Sequence, residues 1–248
     1  MHIPDGFVDA PVSIAAGVVA IGGVGLALKR ASRELDDRTA PMAGLVAVYI
    51  FAVQMLNFPV AAGTSGHLLG GALAAILVGP ATGILAVSVV LIVQALMFAD
   101  GGLSALGLNI VNMAFVTVLV AWPVFRGLAK VLPRTKSAWM GASFVAGLLS
   151  VPAAALAFTA EYAIGGTGTF SVTSVLAAMV GTHVFIGVGE GIITALTVGA
   201  VLAARPDLVL GVRDLLPKPT LRPAAQGSST GPAASPTPSP AEVEGGQP

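Results

Sequence analysis

The chain opens Met-His-Ile-Pro-Asp-Gly-Phe, and its first two residues form a chelator before any fold is considered. The α-amine of Met1, the backbone nitrogen of His2 and the Nδ1 atom of its imidazole can close fused rings around a single ion, presenting near-coplanar nitrogens. The amide nitrogen joins only by losing its proton, a step that Cu(II) and Ni(II) promote and that oxygen-seeking Mg²⁺ or Ca²⁺ do not. A further nitrogen completes a square plane. The remaining histidines of the chain are His67 and His183, and either can supply it. A methionine followed by a residue as large as histidine predicts that Met1 is retained. Cysteine is absent, which excludes thiolate ligands, thiol nucleophiles and disulfides. Any metal must be held by nitrogen or oxygen.

Polar residues within apolar stretches are costly in lipid and tend to mark sites or pathways. They are Gln54, Asn57, His67 in GTSGHLLGG, Gln94, Asn109, Asn112, His183 and Glu190. Asn109 and Asn112 share one face of a helix, where they can orient a ligand ring or pin the N-terminal segment. Asp100, in the turn FADGG, stands to orient the same segment. His183 and Glu190 also share a face, but at ~1.5 Å rise per residue they lie about 10 Å apart, so one ion cannot take both. His183 is therefore a candidate for a supporting contact. Glu190 must be paired or protonated if buried, and its neighbours Gly187 and Gly191 suit close helix packing, so a structural or coupling role is expected of it. No G-x-x-x-x-G-K-[ST] phosphate loop occurs, so ATP is not used here by that route.

The elements that must position these groups are membrane helices. Of 248 residues, 55% are hydrophobic and 10% charged, with mean hydropathy +0.90, whereas soluble domains carry about 25% charge. Net charge is zero, and no basic patch interleaved with aromatics supports nucleic-acid binding. The start lacks the basic region of a secretory signal. Apolar stretches at 10–28, 41–58, 67–79, 81–99, 103–125, 138–163 and 173–203 predict seven spans, with Gly79-Pro80 breaking what would otherwise be one overlong helix. The basic residues fall into three clusters: Lys29, Arg30, Arg33 and Arg38; Arg126, Lys130, Arg134 and Lys136; Arg205, Arg213, Lys218 and Arg222. Cytoplasmic loops concentrate such residues, and seven spans with the N-terminus outside put every cluster inside. The outer face keeps Asp5, Asp9, Asp100 and Glu161, a field that favours small cations. From 206 to 248 the chain is read as a cytoplasmic tail rich in Pro, Ser, Ala and Gly, mostly disordered.

Four blocks in order, MHIPDGF, GTSGHLLGG, FADGGLSALGLNIVNM and HVFIGVGEGIIT, resemble the CbiM/NikM family, the substrate-capture components of energy-coupling factor transporters for cobalt or nickel. The resemblance runs from residue 1 to about 205. It implies an all-α bundle of about seven transmembrane helices (10–205) in the cell membrane of a prokaryote, N-terminus outside and C-terminus cytoplasmic. Residues 1–9 would insert into the bundle with the metal near their tip. The implied ligands are Met1 through its amine, His2 through backbone and ring nitrogens, and His67. Asp100, Asn109, Asn112 and His183 stand as supporting candidates. Ni(II) or Co(II) would then be cargo, with no permanent cofactor. The implied partners are a transmembrane coupling protein, two cytosolic ATPases and a small auxiliary membrane subunit, with Ala16 and Ala20 on the first helix as candidates for a sliding contact. A competing reading, an intramembrane metalloenzyme built on His67, His183 and Glu190, lacks an H-E-x-x-H or comparable spacing.

Overall fold

The computed structural model describes residues 1–35, 39–56, 58–61 and 64–216. Asn57, Arg38, Lys218, Arg222 and the expected tail beyond residue 216 lie outside them. Among the described residues seven α-helices follow in order: α1 (Ala10–Glu34), α2 (Thr39–Gln54), α3 (Gly71–Val78), α4 (Pro80–Met97), α5 (Leu106–Val131), α6 (Lys136–Gly165) and α7 (Val172–Ala204). Within α5, residues Val111–Val116 form a turn of π-helix. Between α2 and α3 lies a short antiparallel hairpin, β1 (Phe58–Ala61) and β2 (Thr64–Gly66), which apolar periodicity did not announce.

Local chemistry sets the boundaries. Asp9 Oδ1 accepts from Val12 N at 3.0 Å to cap α1, and Thr135 and Ser171 cap α6 and α7 in the same way, each side-chain oxygen satisfying an amide that the first helical turn leaves free. Gly79 adopts φ 84° and Pro80 begins α4. A Cβ on Gly83 would lie 3.0 Å from the Ala75 nitrogen, so its absence lets α4 fold back tightly on α3.

Five helices, α1, α4, α5, α6 and α7, are long and apolar enough to cross a membrane. The third expected span departs from that pattern. With 8 residues, α3 reaches only about 12 Å at ~1.5 Å per residue, less than half of a ~30 Å hydrocarbon core. The non-helical run His67–Gly70 continues its path and is buried, as is all of α3. Irregular backbone at membrane depth is tolerated where protein rather than lipid surrounds it.

One end of the bundle gathers the start of α1, the α6–α7 turn and the loop before α5: Asp9 N donates to Gly165 O at 2.7 Å, and Ser104 N to Asp5 Oδ1 at 2.7 Å. At the other end Arg30, Arg126 and Arg213, one from each basic cluster, border hollows that meet at Pro80. There Arg126 reaches the Gly211 carbonyl and pairs with Asp214 at 2.6 Å.

Two expectations need correction. Residues 206–216 are not tail: Leu210 N and Gly211 N donate to Leu77 O and Ile76 O at 3.1 and 2.9 Å, and Val209 and Val212 are fully buried. The segment closes the carbonyl end of α3, groups that a helix terminus leaves without internal partners. Ala16 and Ala20 do not face outward either. Ala20 is buried, and a Cβ on Gly107 of α5 would meet Gly17 Cα at 2.5 Å and Ala16 C at 2.9 Å, because these small residues serve contact within the bundle. The Gly187/Gly191 pair behaves as expected, bringing α7 against the Leu148 and Phe144 carbonyls of α6.

Truncation after Leu216 should leave the thermal transition in detergent unchanged. Truncation after Ala204 should lower stability by roughly 3 kcal/mol or more, from losing the burial of Val209 and Val212 at ~1.5 kcal/mol each. Equal transitions for the two truncations would show that 206–216 does not close the bundle.

Candidate metal centre

Residues 1–9 leave the head of α1 and run back into the bundle, held at successive points by unrelated segments. Thr167 Oγ1 donates to Gly6 O at 2.6 Å, and Val8 pairs with Gly166 as an isolated bridge. Phe7 packs on Phe158 and Tyr162, with ring centroids 5.8 and 5.4 Å away. Asp5 Oδ1 accepts from both the amide and the hydroxyl of Ser104, at 2.7 and 2.6 Å. Deeper still, the Asn109 amide grips both backbone groups of Ile3: Ile3 N donates to Oδ1 at 2.8 Å, and Nδ2 donates to Ile3 O at 3.3 Å. The same carbonyl accepts from Gly102 N at 2.8 Å.

The double glycine before α5 has a steric reason. A Cβ on Gly102 would lie 2.3 Å from Asp5 N, and one on Gly101, where φ is +90°, would lie 3.2 Å from His2 Nδ1. No side chain fits where the inserted segment passes. The glycines of FADGG, like Ser104 and Thr167, were not singled out from sequence, although two adjacent glycines ahead of a helix signal a close backbone approach.

At the tip the Met1 amine lies 3.3 Å from His67 Nε2. His67 Nδ1 is 2.7 Å from the Leu68 carbonyl, which can only accept, so Nδ1 carries the proton and the Nε2 lone pair faces the amine. The rings of His2 and His67 stand 4.9 Å apart at an interplanar angle of 33°. In a square plane with metal–nitrogen bonds of ~2.0 Å, adjacent donors sit about 2.8 Å apart, so a small contraction brings the amine and Nε2 onto one ion. His2 Nε2 is buried without a hydrogen-bond partner, 3.5 Å from Asp100 Oδ2. If Nδ1 takes a metal, Nε2–H points at that carboxylate, the arrangement that orients metal-binding imidazoles generally. Burial lowers the Met1 amine to about 6 against opposition from Asp100, and it lowers His2 to about 3, with the charge of the amine adding to the effect. Burial thus favours the unprotonated amine and His2 ring.

The loop bearing His67 is pinned from behind. Glu190 on α7 accepts from Leu69 N at 2.7 Å and Gly70 N at 3.1 Å. Gln54 Nε2 donates to Leu69 O at 2.7 Å, and Gln94 Nε2 donates to Gln54 Oε1 at 2.9 Å. A helix N-terminus beside His67 would repel a cation, and the Glu190 carboxylate on those amides opposes that field.

Met1, His2, His67, Asp100 and Asn109 thus converge. Asn112 does not join them: its Nδ2 donates to Glu161 Oε2 on α6 at 2.6 Å, and it follows the onset of the π turn, which breaks the register shared with Asn109. His183 gives its Nδ1 to the Met179 carbonyl at 2.7 Å, while its buried Nε2 has no partner and lies within Coulombic reach of the Met1 amine. It borders the centre without touching it. Among the described residues no three His, Cys, Asp or Glu side chains form a metal-holding group, and Glu190 is committed to backbone amides. The metalloenzyme grouping of His67, His183 and Glu190 is therefore not assembled.

Residues 2–208 match a family profile described as CbiM, cobalt uptake substrate-specific transmembrane region. A protein of Haloquadratum walsbyi named for metal transport is 42% identical over 212 residues, covering 84% of this chain and 93% of its own. The fused nickel transport protein NikMN of Rhodobacter capsulatus is 34% identical over 226 residues, covering 84% of this chain and 64% of its own. A crystal structure of a truncated transition metal transporter superposes with a TM-score of 0.73 at 28% identity, over 82% of this chain and 99% of the other.

Because docking lowers the proton affinity of these nitrogens, the undocked segment binds more protons. Docking is thus complete above the free amine value of 8.0 and weakens as pH falls through about 6. Acylation of the Met1 amine, read by mass spectrometry of the N-terminal peptide, should be slow in the native protein. Asn109→Leu should accelerate it about tenfold or more, from the ~1–3 kcal/mol cost of leaving the Ile3 amide unpaired. An unchanged rate would show that Asn109 does not hold the segment.

Proposed function

The chain belongs to the CbiM family, and from that premise we propose that it captures Ni(II) or Co(II) as the substrate-binding membrane component of an energy-coupling factor importer. The observation that carries the proposal is the Met1 amine facing the His67 Nε2 lone pair at 3.3 Å, with His2 beside both. The ligands in this reading are the Met1 amine, the deprotonated His2 amide, His2 Nδ1 and His67 Nε2, an all-nitrogen plane suited to late first-row metals. Asp100 steadies the His2 ring and Asn109 the backbone behind it.

The N-terminus lies outside the cell and the C-terminus in the cytoplasm, an orientation supported by the meeting of one arginine from each basic cluster at one end. At the opposite, outer end Asp5, Asp9, Asp100 and Glu161 attract the cation. Energy comes from a transmembrane coupling protein and two cytosolic ATPases, assisted by a small auxiliary membrane subunit, since this chain has no P-loop of its own. Release inward requires that the plane be broken. Withdrawal of the N-terminal segment or reprotonation of the His2 amide achieves this, because metal affinity depends on deprotonated ligands.

One added residue ahead of Met1 displaces the amine while preserving every side chain. With the N-terminus of each protein verified by intact mass, this extension should weaken Ni(II) and Co(II) binding in titration calorimetry by more than the ~10–100-fold typical of losing an outer-sphere partner. His67→Ala should do the same and His183→Ala much less. Affinity should fall as pH drops through about 6, where the amine takes its proton. Undiminished binding by the extended protein would overturn the chelate.

A further inference from the structure

A groove of about 640 Å³ opens on the side of the bundle between α1, α4 and α5, within the ~300–1,000 Å³ range of ligand sites. Its walls are apolar: Val19 and Leu26 from α1, Ile84 from α4, Val116 and Leu119 from α5. The floor is shaped rather than accidental. A Cβ on Gly23 would lie 2.5 Å from the Phe115 ring, so the glycine of α1 and the π turn carrying Phe115 together set the depth between these helices.

The two ends of the groove differ in charge. Toward the basic end of the bundle it reaches Arg30, and at Pro80 it continues into a second hollow of about 450 Å³ bordered by Trp122, Arg126, Arg213 and Asp214. Arg126 is engaged by Asp214 and lies 5.7 Å over the Trp122 ring. Arg30 and Arg213 are exposed and form no ion pair with another described residue. An apolar channel that opens onto two exposed guanidinium groups beside a tryptophan matches one kind of molecule: an acyl chain below, an anionic phosphate above, and the interface at the level of the indole.

We propose that this groove is a binding site for an acidic glycerophospholipid, with one acyl chain between α1 and α5 and its phosphate held by Arg30 and Arg213. A partner helix would fill the apolar part but bring no phosphate to the two exposed guanidinium groups. A zwitterionic lipid brings a phosphate too, but its ammonium group is repelled by the same two guanidinium groups. The proposal stands apart from the metal centre, which lies at the opposite end of the bundle.

The test uses the whole chain in nanodiscs of phosphatidylcholine with or without phosphatidylglycerol, with Trp122 as the reporter and Trp122→Phe to subtract the buried Trp139. Brominated phosphatidylglycerol at low mole fraction should quench Trp122 more strongly than brominated phosphatidylcholine at the same fraction. The preference should fall about fivefold for each of Arg30→Gln and Arg213→Gln, the factor expected for one basic residue facing an anionic lipid. Filling the channel with Val19→Phe and Val116→Phe should remove the preference while Ni(II) binding persists, which shows that the protein is folded. Equal quenching by both lipids in the native protein, or a preference that survives loss of both arginines, would overturn the proposal. So would protection of the groove by the coupling protein with no lipid preference in its absence.

Discussion

A helix that stops partway through a bilayer leaves amide groups pointing into a medium that offers them no partners, and the structure depends on how that deficit is met at α3. The Glu190 carboxylate, projected from the middle of α7, accepts from Leu69 and Gly70. A buried carboxylate is itself expensive, and so are buried unpaired amides. Set against one another they become a tight local arrangement. The result is a non-helical run, His67–Gly70, held at a fixed depth inside the protein, which is what a side chain needs if it is to meet a chain terminus that enters the bundle.

The other half of the centre is held by different means. The N-terminal segment has little secondary structure, so its position comes from a succession of polar contacts: Thr167, Gly102 and Asn109 satisfy peptide groups of its backbone, and Ser104 donates to the Asp5 carboxylate. The two apolar anchors, Ile3 and Val8, are 2% and 5% exposed. Binding energy is therefore spread along the segment while its terminal nitrogens stay free of committed partners, the division expected of a site whose first residues must remain available to a ligand.

Much of this could be read from the residues alone. Hydropathy and the placement of basic residues gave the seven elements, and the chelating chemistry of Met-His pointed to the terminus. The resemblance to a known family tied that terminus to His67. What could not be read is instructive. The half-length of α3 was hidden because buried helix and buried extended chain are equally apolar, and the role of Glu190 depends on that half-length. Asn112 was misplaced by assuming an uninterrupted α-helical register, which the π turn breaks. Residues 206–216 look like the beginning of a Pro-rich tail, yet Val209 and Val212 are core residues, since a short apolar run carries no periodicity from which to judge burial. Ala16 and Ala20 were small for the sake of α5 and not for an outside partner.

Both ends of α3 are completed by residues far ahead in the chain. Its amides wait for Glu190, 121 positions beyond Leu69, and its carbonyls wait for Leu210 and Gly211. In the order of synthesis, α3 therefore enters the membrane well before anything exists to terminate it, and the His67 loop has no defined position until α7 and the strap after it have been made. A chain arrested earlier can hold most of its spans and still possess no centre. Formation of the candidate centre is thus coupled to completion of the polypeptide.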